Sequence, residues 1–215
     1  DWDLEYEAGS IETEVVISSE SQSNWENKLD ITTGLVAHYT FDSDAQDNTA
    51  NNNDGMLEGD ADIDTGTSKV GDASLTVDGD GDYVDLTSSL ASFKDLTNET
   101  FSAWINTTAT GWDTIMSIGS ADNEVISLDL YNGELMLGYT GDSVQNIVVE
   151  STSANINDGT WHHVAFTASD AGTALYIDGV QLTGGEIDYS TGDAADTASI
   201  SDIAVTNAII GAYQA

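Results

Sequence analysis

From Gly34 onward the sequence is a succession of short β-forming runs, broken about every 8 to 12 residues by clusters of Gly, Asn and Asp. The runs cover residues 35–41, 74–77, 83–86, 100–106, 114–118, 125–131, 134–139, 144–149, 161–168, 174–178, 180–182 and 208–210. No stretch of helical periodicity competes with them, so the spacing implies an all-β fold, a sandwich or barrel of antiparallel strands. Two junctions are more specific. Tyr131-Asn132-Gly133-Glu134 and Ile177-Asp178-Gly179-Val180 each place Asn-Gly or Asp-Gly between apolar runs, the pairing that a two-residue hairpin turn requires. Proline is absent, so sheet edges must be protected by charge, glycine and loops.

A chain of 215 residues with 40% hydrophobic content can bury one large core. Its 39 acidic residues face only three lysines and no arginine, for a net charge of −36. That balance argues against nucleic acid and anionic membrane as partners. Such acidity suits a salty medium that screens self-repulsion, or carboxylates partly neutralised by Ca²⁺. Most of the carboxylates are read as solvated surface. Without cysteine there is no disulfide and no thiolate metal or redox chemistry, which for a secreted protein points to a bacterial or archaeal exterior. No apolar run of about 18 residues is present to cross a membrane. Residues 1–33 are polar and acidic, with one alternating stretch from Ile11 to Ile17, and read as a linker or an extra edge strand.

The order of motifs resembles the laminin-G-like, concanavalin A-like jelly rolls. The resemblance is carried by Gly34-Leu35-Val36-Ala37-His38-Tyr39-Thr40-Phe41-Asp42, the loop from Asp47 to Gly55, and Leu75-Thr76-Val77-Asp78-Gly79 running into Asp82-Tyr83-Val84. Phe101-Ser102-Ala103-Trp104-Ile105, Asp158-Gly159-Thr160-Trp161-His162-His163-Val164-Ala165, Ala174-Leu175-Tyr176-Ile177-Asp178-Gly179 and Ile209-Ile210-Gly211 follow in family order. It implies a two-sheet antiparallel β-sandwich over 34–215. Family members usually continue into a last strand rich in Asp; this sequence stops at Ala215, so that strand is expected to be missing or supplied by another segment.

The resemblance also implies that the loop 47–55 lies near a bound Ca²⁺. Its Asp and Asn side chains are of the type a cation needing six to eight oxygens would use, although an Asn-rich loop can equally cap itself through local turns. Asp47, Asn51, Asp54 and Asp82 are the candidate metal ligands. The alternating acids of 78–85 fail the EF-hand pattern, with Tyr83 at the sixth position and Ser89 at the twelfth. His162 and His163 are adjacent and would point to opposite faces of a strand, which argues against zinc. Trp104 and Trp161 lie within strand motifs and read as core aromatics. Trp112 with Asp113, and Tyr139 with Asp142, are the candidate ligand-binding residues, since an aromatic face beside a carboxylate suits a sugar; Tyr131, Tyr189 and Tyr213 also fall near turns.

Glycosidases of this fold hold acid and nucleophile on a strand of alternating carboxylates, and Glu124-Val125-Ile126-Ser127-Leu128-Asp129 does not reproduce that pattern. No Ser-His-Asp candidate is present either. The expectation is a non-catalytic, calcium-dependent carbohydrate-binding or adhesion module in a large bacterial surface or secreted protein, extracellular and monomeric, with no nucleic-acid partner and no membrane insertion. A structural spacer and a protein- or peptide-binding module are the alternatives.

Overall fold

A computed structural model of the chain describes residues 34–120, 124–140, 147–169, 172–191 and 200–211. The chain divides into two units, Asp1–Leu35 and Val36–Ala215, and the architecture below is that of the second. The expected strand at 11–17 lies outside the described residues.

The strands, in chain order, are β1 Met56–Glu58, β2 Asp62–Asp64, β3 Ser74–Thr76, β4 Tyr83–Asp85, β5 Glu99–Ile105, β6 Trp112–Gly119 and β7 Val125–Tyr131. They continue with β8 Glu134–Thr140, β9 Ile147–Ser151, β10 His162–Ser169, β11 Gly172–Ile177, β12 Val180–Gln181, β13 Ile187–Thr191 and β14 Asn207–Ile210. Eight form one sheet in the order β1-β4-β14-β6-β7-β8-β9-β13, four form a second in the order β12-β11-β10-β5, and β2 pairs with β3 alone. All the pairings are antiparallel. This is the expected all-β sandwich. Among the described residues helix is confined to short turns, including an α-helical turn at Leu90–Phe93.

Alternation along the strands explains the core. On β7, Ile126, Leu128 and Leu130 point inward and join Leu135, Leu137 and Tyr139 of β8. From the smaller sheet come Val164, Phe166 and Ala168 of β10 with Leu175 of β11, and Phe101, Ala103 and Ile105 of β5 pack against the same cluster. Both anticipated hairpins form. Asn132 and Gly133 adopt φ of 52° and 87° between β7 and β8, and Asp178 and Gly179 adopt 50° and 78° between β11 and β12. Two successive left-handed residues give the turn whose twist matches that of the strands.

One expected strand does not form. Residues 36–41 carry no strand pairing, because the loop that follows takes up their backbone groups instead. The His38 amide donates to Asp47, the His38 carbonyl accepts from the Asn48 amide, and the Val36 carbonyl accepts from the side chains of Asn51 and Asn53.

Candidate functional site

Two turns meet beside the β1–β4 ladder. Gly59 follows β1 with φ +70°, and a Cβ there would lie 2.5 Å from the Gly81 carbonyl oxygen and 2.9 Å from the Asp82 Cα. Only glycine permits this approach. It brings Asp60 against the 78–82 turn, so that oxygens of Asp60, Asp78 and Asp82 all lie within 4.8 Å of one another. Asp82 is buried, and its carboxylate accepts the Asp78 amide at 2.6 Å and the Gly79 amide at 3.1 Å. Burial works to raise its pKa, but these hydrogen bonds outweigh it and hold the group below the usual carboxylate range. Three hard oxygen donors with lone pairs to spare fit Ca²⁺.

The structure does not bring Asp82 together with the other expected ligands. Met56 of β1 pairs with Asp85 of β4 and Glu58 with Tyr83, so the loop 47–54 and Asp82 lie at opposite ends of this ladder. Asp47 is already occupied. Its Oδ1 accepts the amides of His38 and Thr49, both at 2.9 Å, and its Oδ2 accepts the Thr49 hydroxyl at 2.7 Å and the Asn53 amide at 2.9 Å. Asp54 Oδ1 accepts the Asp47 amide, and the Asn51 side chain donates to the Val36 carbonyl. The loop caps itself, and the carboxylate that most resembled a calcium ligand is its organising acceptor. Asp60 and Asp78 carried too weak a sequence signal, because the proximity of the two turns comes from strand pairing and one close glycine contact.

The aromatic candidates separate by strand face. Trp112 and Tyr131 are cross-strand partners on β6 and β7, with ring centroids 5.7 Å apart and planes tilted by 48°. They are 56% and 46% exposed, the pair of large rings that this sheet presents to solvent at its β7–β8 turn. Asp113 sits opposite Leu130 and so falls on the other face from Trp112. Tyr139 does not face solvent as expected: alternation on β8 puts it inward with Leu135 and Leu137, only 2% exposed. Asp142 lies outside the described residues. Trp104 corrects the expectation in the other direction. Because Phe101, Ala103 and Ile105 take the inward positions of β5, Trp104 points out, 41% exposed, edge-on to His163 with the Lys69 ammonium 4.8 Å from its ring centre. Trp161 is half-buried.

Next to the Trp112–Tyr131 pair, on the same face of the sheet, lies a carboxylate the sequence did not single out. Asp129 of β7 is 2% exposed, and it accepts the hydroxyls of Thr114 and Ser127, both at 2.6 Å. The Trp112 indole N–H also contributes. Burial pushes its pKa above the usual carboxylate range against the pull of these donors.

His162 is held by side chains of two loops. Nδ1 lies 2.9 Å from Asp178 Oδ2, and Nε2 lies 3.3 Å from Asp158 Oδ1 and 3.2 Å from the Thr160 hydroxyl. The two acids occupy different ring nitrogens, an ion-pair arrangement rather than a chelate. Partial burial works to lower the pKa of the imidazole, and the bonds and charges of Asp178 and Asp158 more than reverse it, so the pKa is raised.

A two-sheet antiparallel sandwich with an aromatic pair on one sheet and an acidic turn cluster at its edge defines a jelly-roll class of domain. The sequence profile of the concanavalin A-like lectin/glucanases superfamily matches residues 78–207, and the chain belongs to that superfamily. No curated protein sequence matches it. Among solved structures it is similar to domain 4 of AbnA, a GH43 extracellular arabinanase from Geobacillus stearothermophilus in complex with arabinotriose. There the identity is 20%, the TM-score 0.58, and the match covers 84% of this chain and 85% of that one. It is also similar to the receptor binding domain of a botulinum neurotoxin C/D mosaic serotype, at 16% identity and TM-score 0.55 over 77% of this chain and 40% of that one. The binding domain of botulinum neurotoxin DC in complex with rat synaptotagmin II gives 15% identity and TM-score 0.52, over 78% and 40%. The chain therefore spans less than half the length of the toxin domains it resembles. At these identities the likeness is one of fold.

Proposed function

We propose that this domain is a non-catalytic carbohydrate-binding, adhesion-type module of a bacterial surface or secreted protein, acting outside the cell. The observation that carries this reading is the exposed Trp112–Tyr131 pair, two neighbouring rings on paired strands with a buried hydrogen-bonded carboxylate beside them on the same face. Aromatic faces bury the C–H face of a sugar at small entropic cost, since both rings are already positioned by their strands. The arabinotriose bound to the arabinanase domain is in keeping with a sugar ligand on this fold. Calcium belongs to the same proposal, now at Asp60, Asp78 and Asp82. A bound ion would neutralise these carboxylates and tie the β1–β2 turn to the β3–β4 turn.

The test is a glycan panel that includes arabino-oligosaccharides, probed with the chain and with Trp112→Ala and Tyr131→Ala. Binding that each substitution weakens by about tenfold or more, near 1.4 kcal/mol, supports the reading. Binding unaltered by both places the sugar elsewhere.

One observation favours a second reading. Among the described residues β5 pairs with β10 on one side and with no strand on the other. Such an edge can accept an extended peptide as a further strand. Selection of peptides by the chain, lost on placing proline at Ser102, would favour this reading over the sugar.

A further inference from the structure

We infer that Asp129 is the positioning residue of the aromatic platform, holding the Trp112 ring through its indole N–H while the Thr114 and Ser127 hydroxyls fix the carboxylate itself. The inference deepens the sugar-binding reading and rests on it for its purpose, though its geometry stands independently. Trp112 and Thr114 project to the same side of β6, opposite Tyr131 and Asp129 on β7. Asp129 Oδ1 accepts Thr114 and Oδ2 accepts Ser127, so the carboxylate plane is locked between two strands. On the far side, Gly138 of β8 leaves room for this group: a Cβ there would come within 3.2 Å of the Ser127 hydroxyl and 4.0 Å of Asp129 Oδ2. A buried carboxylate is costly unless its acceptors are filled. Placing one beside an exposed tryptophan couples the orientation of that ring to the charge next to it.

The other titratable groups on this face, among the described residues, are Tyr131 on β7, Glu134 on β8, Glu150 on β9, Asp188 on β13 and, beyond β14, Tyr83 and Asp85 on β4 with Glu58 on β1. Glu134 is engaged by the Ser151 hydroxyl and the Ala154 amide. Asp113, on β6, turns to the opposite face. All the carboxylates here are of one sign, so none stabilises the Asp129 anion; the hydroxyls and the indole do.

The experiment follows the Trp112 indole N–H cross-peak of the ¹⁵N-labelled full chain across pH, assigned with Trp112→Phe. The expected result is a single sigmoidal shift with a midpoint above the ordinary carboxylate value of about 3.9. It is lost in Asp129→Asn, and its midpoint moves further up in Thr114→Val, which removes a donor to the anion. A cross-peak that does not move in the folded wild-type chain, or a titration that persists in Asp129→Asn, overturns the inference. Should Asp129→Asn fail to fold, the wild-type titration and the direction of the Thr114→Val midpoint decide. Titration without glycan binding would remove the sugar reading and leave the positioning role; glycan binding through a Trp112 that does not sense Asp129 would do the reverse.

Discussion

The Nδ1 atom of His162 lies 2.9 Å from Oδ2 of Asp178, and the Asp178 Oδ1 accepts the backbone amide of His163 at the same distance. One turn carboxylate thus clamps two successive residues of β10. The folded-state pKa of His162 is raised. Its contribution to stability is therefore complete below the unfolded value of about 6.5 and is lost as pH rises through the raised value. Urea unfolding from about pH 5 to about pH 9 should show that decline, and His162→Gln should flatten it. Asp178 is held below its ordinary value by the same histidine, so its share is present above about 3.9 and fades in acid.

Calcium should raise the melting temperature of the chain relative to EDTA, by mass action on the folded state. Asp82→Asn should abolish most of the increment. Gly59→Ala forces a Cβ into the Gly81–Asp82 backbone and should lower both stability and the calcium response. Identical melting curves in EDTA and millimolar Ca²⁺ would remove the ion from the proposal.

Asp47→Ala should destabilise the fold by roughly 2–4 kcal/mol whether or not calcium is present, since it strands three backbone amides and a hydroxyl. A loss confined to calcium-containing buffer would instead make Asp47 a metal ligand. Its folded pKa is lowered by those bonds against the effect of burial, so this stabilisation should fade as pH falls below about 3.9.

Asp129 runs the other way. A carboxyl whose folded pKa is raised favours folding at low pH and costs stability as pH rises through its titration. Chemical denaturation should show Asp129→Asn losing this slope and gaining stability at neutral pH relative to wild type. A mutant less stable than wild type at neutral pH would mean that the anion is fully compensated by its donors.

The class of fold could be read from the chain because its information is local: strand alternation and the turns Asn132-Gly133 and Asp178-Gly179 act within a few residues. The site was less legible for the same reason. Trp104 and Tyr139 exchanged their expected environments because a single step along a strand reverses the face, and the phase is set by partners far away in sequence. The Asp47 loop looked like an ion site because metal ions and backbone amides are satisfied by the same oxygens. Asp60 and Asp82 meet only through the β1–β4 register, which no motif spacing encodes. Strands β1, β2 and β13 are short or polar and left no periodic trace.

The edge of β5 that pairs with no strand among the described residues has a colloidal consequence. With no proline anywhere in the chain, electrostatic repulsion between molecules of charge −36 is the main barrier to joining two such edges. That barrier falls away near the isoelectric point of about 4.1, where the carboxylates take up protons. Acidification in dilute solution should therefore produce ordered self-association before it produces unfolding.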